Sequence, residues 1–188
     1  VLIIGASGGI GTAFLQLGKI VGLKMYGLAS KSKHPVLSDY GAMPIDYHTQ
    51  DYAKLIRDAE PDGIDAVFDG IGGSYIQESF SLLRKSGIYV GYCNPKTVSG
   101  LIRYLGRVTL SNLLPNGRSA RFYGTGVSRL NRKPFLEDWA ALFKLLEEGK
   151  IHPIIAETFP IIEAGEANRL LESGGVSGNI ILVAEELL

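Results

Sequence analysis

The residues best suited to chemistry near the start of this sequence have almost no side chains. "GASGGIG" sets Ala6, Gly8 and Gly11 in an Ala-x-Gly-x-x-Gly spacing, directly after the apolar run 1–4 and at the mouth of an amphipathic stretch over 10–21. Together with Ser7, Gly9 and Ile10 they form a turn whose backbone amides can come close to a pyrophosphate. Gly11 would let the following helix pack tightly on the strand, with its N-terminus facing the anion. The chemistry implied is dinucleotide binding; the alternative is a tight turn with no ligand.

Which dinucleotide depends on the end of the next strand, read over 24–28. A fold selecting NAD carries Asp or Glu about 20 residues beyond the glycines to hold the ribose 2′-hydroxyl. Here that position reads Ala29-Ser30, with no acid, and Lys31 and Lys33 follow. A missing carboxylate removes repulsion from a 2′-phosphate, while a hydroxyl and ammonium groups can bond to it. NADP(H) is therefore the expected cofactor, against the alternative that the lysines only solvate a helix start.

Other reactive side chains offer less. Asp69 closes an apolar strand before Gly70 and reads as a cap for the next turn or a ribose contact, not a catalyst. Cys93 has no His placed beside it and reads as strand-end packing. His34, His48 and His152 are scattered and read as surface loop residues. Tyr92 and Lys96 have the Tyr-x-x-x-Lys spacing of short-chain dehydrogenases, with Ser79 upstream. That reading fails because Pro95 interrupts the tetrad, Tyr92 ends a strand and Ser79 lies in a helical run. No acid–base constellation is visible.

The positioning elements alternate. Strands are read at 1–4, 24–28, 43–46, 64–70 and 87–92, and helices at 10–21, 33–40, 52–58 and 75–84. The first helix is expected to turn Ala13, Phe14, Leu17, Ile20 and Val21 inward. Beyond Cys93 a loose helix near 101–108, a last parallel strand over 120–126 and a helix over 136–147 precede a final strand, helix and strand. The expected fold is α/β: a Rossmann doubly wound parallel sheet with helices on both faces, forming one NADP-binding domain over 1–188 with a C-terminal return segment. Strand-end segments 69–73, 91–94 and 122–124 would face the ligand.

Composition excludes several classes. The 188 residues carry nineteen basic and nineteen acidic side chains, leaving no electrostatic footprint for nucleic acid. One cysteine excludes an internal disulfide or a cysteine-cluster zinc site within the chain. No apolar run approaches the roughly 18 residues of a membrane span. Val1 reads as an internal start, and the protein is expected in the cytoplasm.

Joined to "LASKSKH", "PIDYHT", "FDGIGGS" and "SGNIILV", the glycine turn makes the chain resemble the medium-chain dehydrogenase/reductase superfamily, in its zinc-independent quinone oxidoreductase branch of the vesicle amine transport protein type. The resemblance implies an N-terminal GroES-like substrate domain before this segment. It also implies hydride transfer from NADPH to a quinone or activated alkene (enone), and a homodimer formed through the strand near 117–124. It places Lys33 and Tyr47 on the 2′-phosphate, and Gly70, Gly91, Tyr92, Phe122 and Tyr123 along the nicotinamide half of the site. Asn179 stands where relatives often have lysine. A zinc-dependent alcohol dehydrogenase, a polyketide synthase enoyl-reductase domain and a non-catalytic NADPH-binding protein remain alternatives.

Overall fold

The apolar opening run forms β1 (Leu2–Ile4), buried at every residue. Leu2 and Ile4 face one side of the sheet, while Ile3 faces the other with Ala6 and Leu15. A strand covered on both faces has to be apolar throughout, which is why no alternation shows in its sequence.

In the computed structural model, which describes residues 1–92, 98–113, 115–124, 132–184 and 186, β1 leads to α1 (Gly9–Ile20) and β2 (Tyr26–Ala29). Next come a short 3₁₀ turn (Lys31–Lys33), α2 (His34–Asp39), β3 (Met43–Asp46), α3 (Tyr52–Ala59) and β4 (Ile64–Asp69). The chain continues with α4 (Tyr75–Ser81), β5 (Leu83–Gly91), α5 (Val98–Leu113) and β6 (Ser119–Phe122). The return segment comprises α6 (Arg132–Glu147), β7 (Ile155–Pro160), α7 (Ala164–Glu172) and β8 (Asn179–Val183).

Six strands form one sheet in the order β3-β2-β1-β4-β5-β6, every ladder parallel. The chain steps outward from β1 to β3, returns, and steps outward the other way from β4. That is the doubly wound topology expected, and the reversal leaves a crevice beyond the carboxyl ends of β1 and β4. Tyr52, Ala53 and Ile56 of α3, Ile76 of α4 and Tyr104 of α5 cover one face with Leu2, Ile4, Val67 and Tyr89. Leu15 of α1 and Leu37 of α2 cover the other with Ile3 and Met25. Strands β7 and β8 make a separate parallel pair, tied to the main body where Gly178 bridges Gly8.

Three local readings need correction. The first helix buries Gly11, Thr12, Leu15, Gln16 and Gly18, not the expected face; Ala13, Ile20 and Val21 are exposed and Phe14 and Leu17 half-buried. Residues 11, 15 and 18 share one helical face. With glycine at two of them the backbone itself meets the sheet, and counting large apolar side chains misses such a seam. Ala13 and Leu17 instead border a cavity of about 90 Å³ with Leu142, Ile151 and Ile154.

The helix expected over 75–84 ends at Ser81, and the next strand begins at Leu83. The ladder slips there: Leu83 pairs with Ile64 and Ile88 with Ala66, and Ser86 takes a φ of 68°. This bulge lengthens the strand beyond its sequence signal. The loose helix over 101–108 runs as Val98–Leu113, and the last strand ends at Phe122, with 125 and 126 outside the described residues.

Candidate functional site

A cleft of about 390 Å³ opens at the sheet's reversal point. Its base is Ile4, Gly5, Ser7 and Gly8; Leu28, Ala29, Ser30 and Lys33 come from the end of β2, Tyr47 from the end of β3, and Ile71 and Tyr75 from beyond β4. Five residues singled out in the sequence therefore meet here: Ser7, Gly8, Ser30, Lys33 and Tyr47. Ile71 comes from the 69–73 segment expected to face the ligand, whereas Gly5 and Tyr75 were not anticipated. Gly5 has a φ of 78° and no side chain, and Ile71 packs where its Cβ would point, at 3.5 Å. The signal for Gly5 was the first glycine of "GASGGIG", which the sequence reading left out of the fingerprint spacing.

The turn from Gly5 to Gly11 is built for backbone approach. Gly8 is the N-cap of α1, with no side chain capping the helix and no acid in its first turn. The first amides of a helix have no partner within it, so those of Gly9, Ile10 and Gly11 and the positive end of the helix dipole are left for an anion. A Cβ on Gly11 would strike the Gly5 carbonyl and the Ala6 backbone, and one on Gly9 would strike the Asn179 side chain. Ala6 is fully buried beneath the turn, whereas the Ile10 side chain is exposed above it.

The β2 end carries the charge. The Ser30 carbonyl accepts from the Lys33 amide at 2.9 Å, closing the 3₁₀ turn that brings Lys33 over the cleft. Lys33 Nζ donates to the Val176 carbonyl at 2.5 Å. Burial pushes its ammonium below the ordinary lysine value, and no carboxylate among the described residues pairs with it. A partly desolvated cation with only a neutral acceptor favours an anion in the cleft.

Tyr47 is held from behind. Asp46 Oδ1 accepts from the His48 amide at 3.1 Å, its Oδ2 from Thr49 Oγ1 at 2.8 Å, and its own amide donates to Gln50 Oε1 at 2.8 Å. The bonds from the His48 amide, chiefly, and from the Thr49 hydroxyl hold the Asp46 carboxyl below the usual range. They also fix the turn presenting the Tyr47 ring, 4.2 Å from that of His48.

Gly70, Gly91, Tyr92, Phe122 and Tyr123 follow one another along the ends of β4, β5 and β6, outside the walls of this cleft. Tyr92 N donates to the Asp69 carbonyl and Tyr123 N to the Gly91 carbonyl, both at 2.9 Å, so the row is continuous. The Tyr92 ring lies over Gly70, 5.6 Å from Phe14, and the Tyr104 hydroxyl fills the space beside Gly91. Asp69 caps as read from the sequence: its Oδ1 accepts from the Ile71 and Gly72 amides at 2.8 Å each, and Oδ2 from the Tyr89 hydroxyl at 2.6 Å. It is fully buried, which removes the alternative of a ribose contact.

The histidines do not converge. His34 is the first residue of α2, not a loop residue, His48 lies tilted against Tyr47, and His152 lends its backbone to Gln16. Cys93, Asn94 and Lys96 lie outside the described residues. Among those described, no three His, Cys, Asp or Glu side chains come together to hold a metal ion. No described helix is long and apolar enough to cross a membrane.

Fold and site together define a dinucleotide-type α/β domain. Residues 40–182 match the family model described as zinc-binding dehydrogenase. The chain thus belongs to that family, within the medium-chain dehydrogenase/reductase superfamily its motifs resemble. It is 32% identical over 200 residues to the synaptic vesicle membrane protein VAT-1 homolog of Danio rerio, covering 100% of this chain and 41% of that protein. It is 29% identical to a 2-haloacrylate reductase of a Burkholderia species, covering 98% of this chain and 55% of the relative. A quinone oxidoreductase structure from Coxiella burnetii superimposes with a TM-score of 0.74 at 29% identity, over 96% of this chain and 51% of that one. The chain spans about half the length of the relatives it matches.

Proposed function

We propose that this chain is the NADP(H)-binding domain of an oxidoreductase that passes hydride to a quinone or an activated alkene. The observation carrying the reading is the cleft itself, where an uncapped helix start faces a partly desolvated Lys33 with no acid at the end of β2. Those features suit a pyrophosphate at the glycine turn and a second anion, the ribose 2′-phosphate, between Ser30, Lys33 and Tyr47. The nicotinamide supplies the hydride when bound. The chain's own part is positioning: turn amides hold the diphosphate, and Gly70, Gly91, Tyr92, Phe122 and Tyr123 line the approach along the strand ends. The quinone or enone class is supported by the named activities of relatives. We place the protein in the cytoplasm.

Lys33→Ala is expected to weaken NADPH about tenfold and leave NADH nearly unchanged, since one charge-assisted bond at a part-exposed site contributes about 1.4 kcal/mol. Ser30→Asp should shift preference toward NADH by repelling the phosphate and offering the ribose an acceptor. Ser30 is the better site for the acid because Ala29 is buried against the α2 side of the sheet. Titration of both cofactors checks this; equal losses for NADPH and NADH in Lys33→Ala contradict the reading.

The same reading includes a homodimer. β6 ends the sheet's order, and an edge strand of this kind pairs readily with its copy across a two-fold axis. Sedimentation of the full-length protein should give a dimer, and a strictly monomeric profile would count against it.

A further inference from the structure

Residues 173–178 link α7 to β8, and this strap touches the cleft's walls at Lys33 and Ser7. Gly174 and Gly178 have φ values of 69° and 87°. The strap's end is fixed on the glycine turn, where Gly178 N donates to the Ser7 carbonyl at 2.8 Å and Gly178 bridges Gly8. A Cβ on Gly178 would meet the Ile154 carbonyl and side chain, so that anchorage requires glycine. Two residues earlier, the half-buried Val176 offers its carbonyl to Lys33 Nζ, 143 residues away in sequence.

We infer that the 173–178 strap is a specificity element of the nucleotide site, with the Val176 carbonyl positioning the Lys33 ammonium for the 2′-phosphate. The inference rests on the NADP(H) reading and adds a second partner to it. A lysine side chain loses rotamer entropy when fixed. Held beforehand by the strap, Lys33 loses less on meeting its ligand. The nature of the holding group matters. An ammonium has three donors, so one bond to Val176 leaves two for phosphate oxygens. A carbonyl is neutral and keeps the full positive charge available, whereas a carboxylate there would cancel it. Because the same strap grips Ser7, it also sets the distance between the phosphate-binding lysine and the turn that holds the pyrophosphate.

The test weakens the carbonyl and keeps every side chain; it also removes the residue-177 N–H, an effect that the Lys33→Ala background separates. Incorporating the α-hydroxy analogue of serine at position 177 turns the 176–177 amide into an ester and weakens the Val176 oxygen as an acceptor. The expected result is a loss of about fivefold in NADPH affinity, NADH being unchanged, from the rotamer freedom Lys33 regains. In a Lys33→Ala background the ester should have no further effect. If Lys33→Ala lowers NADPH affinity and the ester does not, the strap inference falls while the cofactor reading stands. Equal losses for both cofactors from the ester would mean the strap is purely structural. If Lys33→Ala itself changes nothing, the cofactor reading fails first. A second measurement needs no variant: amide exchange of residues 173–178 in the wild-type chain with adenosine 2′,5′-bisphosphate or 5′-AMP. Extra protection from the 2′-phosphate is expected, and identical protection by the two ligands overturns the inference.

Discussion

Replacing Asp69 with alanine is expected to cost about 4 kcal/mol of folding stability, a large share of the 5–15 kcal/mol typical of a domain. The carboxylate is fully buried and accepts from two backbone amides and the Tyr89 hydroxyl. Alanine offers none of these donors an acceptor, and a buried donor left without one costs about 1–3 kcal/mol. Asp69→Asn keeps an oxygen for the two amides and should lose much less, about 1–2 kcal/mol. The same bonds hold the 70–73 turn, from which Ile71 projects into the cleft, so nucleotide affinity should fall with stability in the alanine variant. Urea unfolding of the two variants provides the comparison. An alanine variant within about 1 kcal/mol of wild type would show that the network contributes little.

Gly11→Ala is expected to lower stability by about 2 kcal/mol and nucleotide affinity by at least about tenfold. Alanine in a helix gains about 1 kcal/mol over glycine. Here the new Cβ meets the Gly5 carbonyl and lies 2.6 Å from the Ala6 carbonyl carbon, which are backbone atoms that cannot rotate aside. Overpacking of this kind costs about 3 kcal/mol, so the clash wins. Relief would come by lifting α1 from β1, and that moves the amides proposed to hold the pyrophosphate. Gly106 in α5 is the internal control, because nothing lies within 4 Å of its Cβ position. Gly106→Ala should therefore stabilise the chain by as much as about 1 kcal/mol. Thermal melts and cofactor titration on both variants separate propensity from packing; a neutral Gly11→Ala would contradict the close helix–strand seam.

The contrast between those two glycines marks what the sequence could say. The glycine turn was legible because strand, turn and helix lie within one short segment, so the spacing of Ala6, Gly8 and Gly11 carries the geometry with it. Asp69 was legible for the same reason, since a carboxylate at a strand end reaches the amides two and three residues on. The buried face of α1 was misread because Gly11 and Gly18 make contact with their backbones, and apolar periodicity records only side chains. The bulge at Ser86 hid the first half of β5, as the ladder restarts there out of register. Lys33 was found from its distance to the glycines, but its partner Val176 could not be, because a backbone carbonyl leaves no trace in residue type. Tyr75 reaches the cleft only because α4 starts just beyond the 70–73 turn, a placement set by the fold.

The central claim is that the cleft between β1, β2 and β4 takes a nucleotide bearing a 2′-phosphate. A crystal structure of the chain with NADP⁺ tests it most directly. The account expects the pyrophosphate on the amides of Gly9, Ile10 and Gly11, and the 2′-phosphate within hydrogen-bond distance of Lys33 Nζ, flanked by Ser30 and Tyr47. A nucleotide bound with its 2′-phosphate turned away from Lys33 into solvent, or bound elsewhere on the chain, would contradict it.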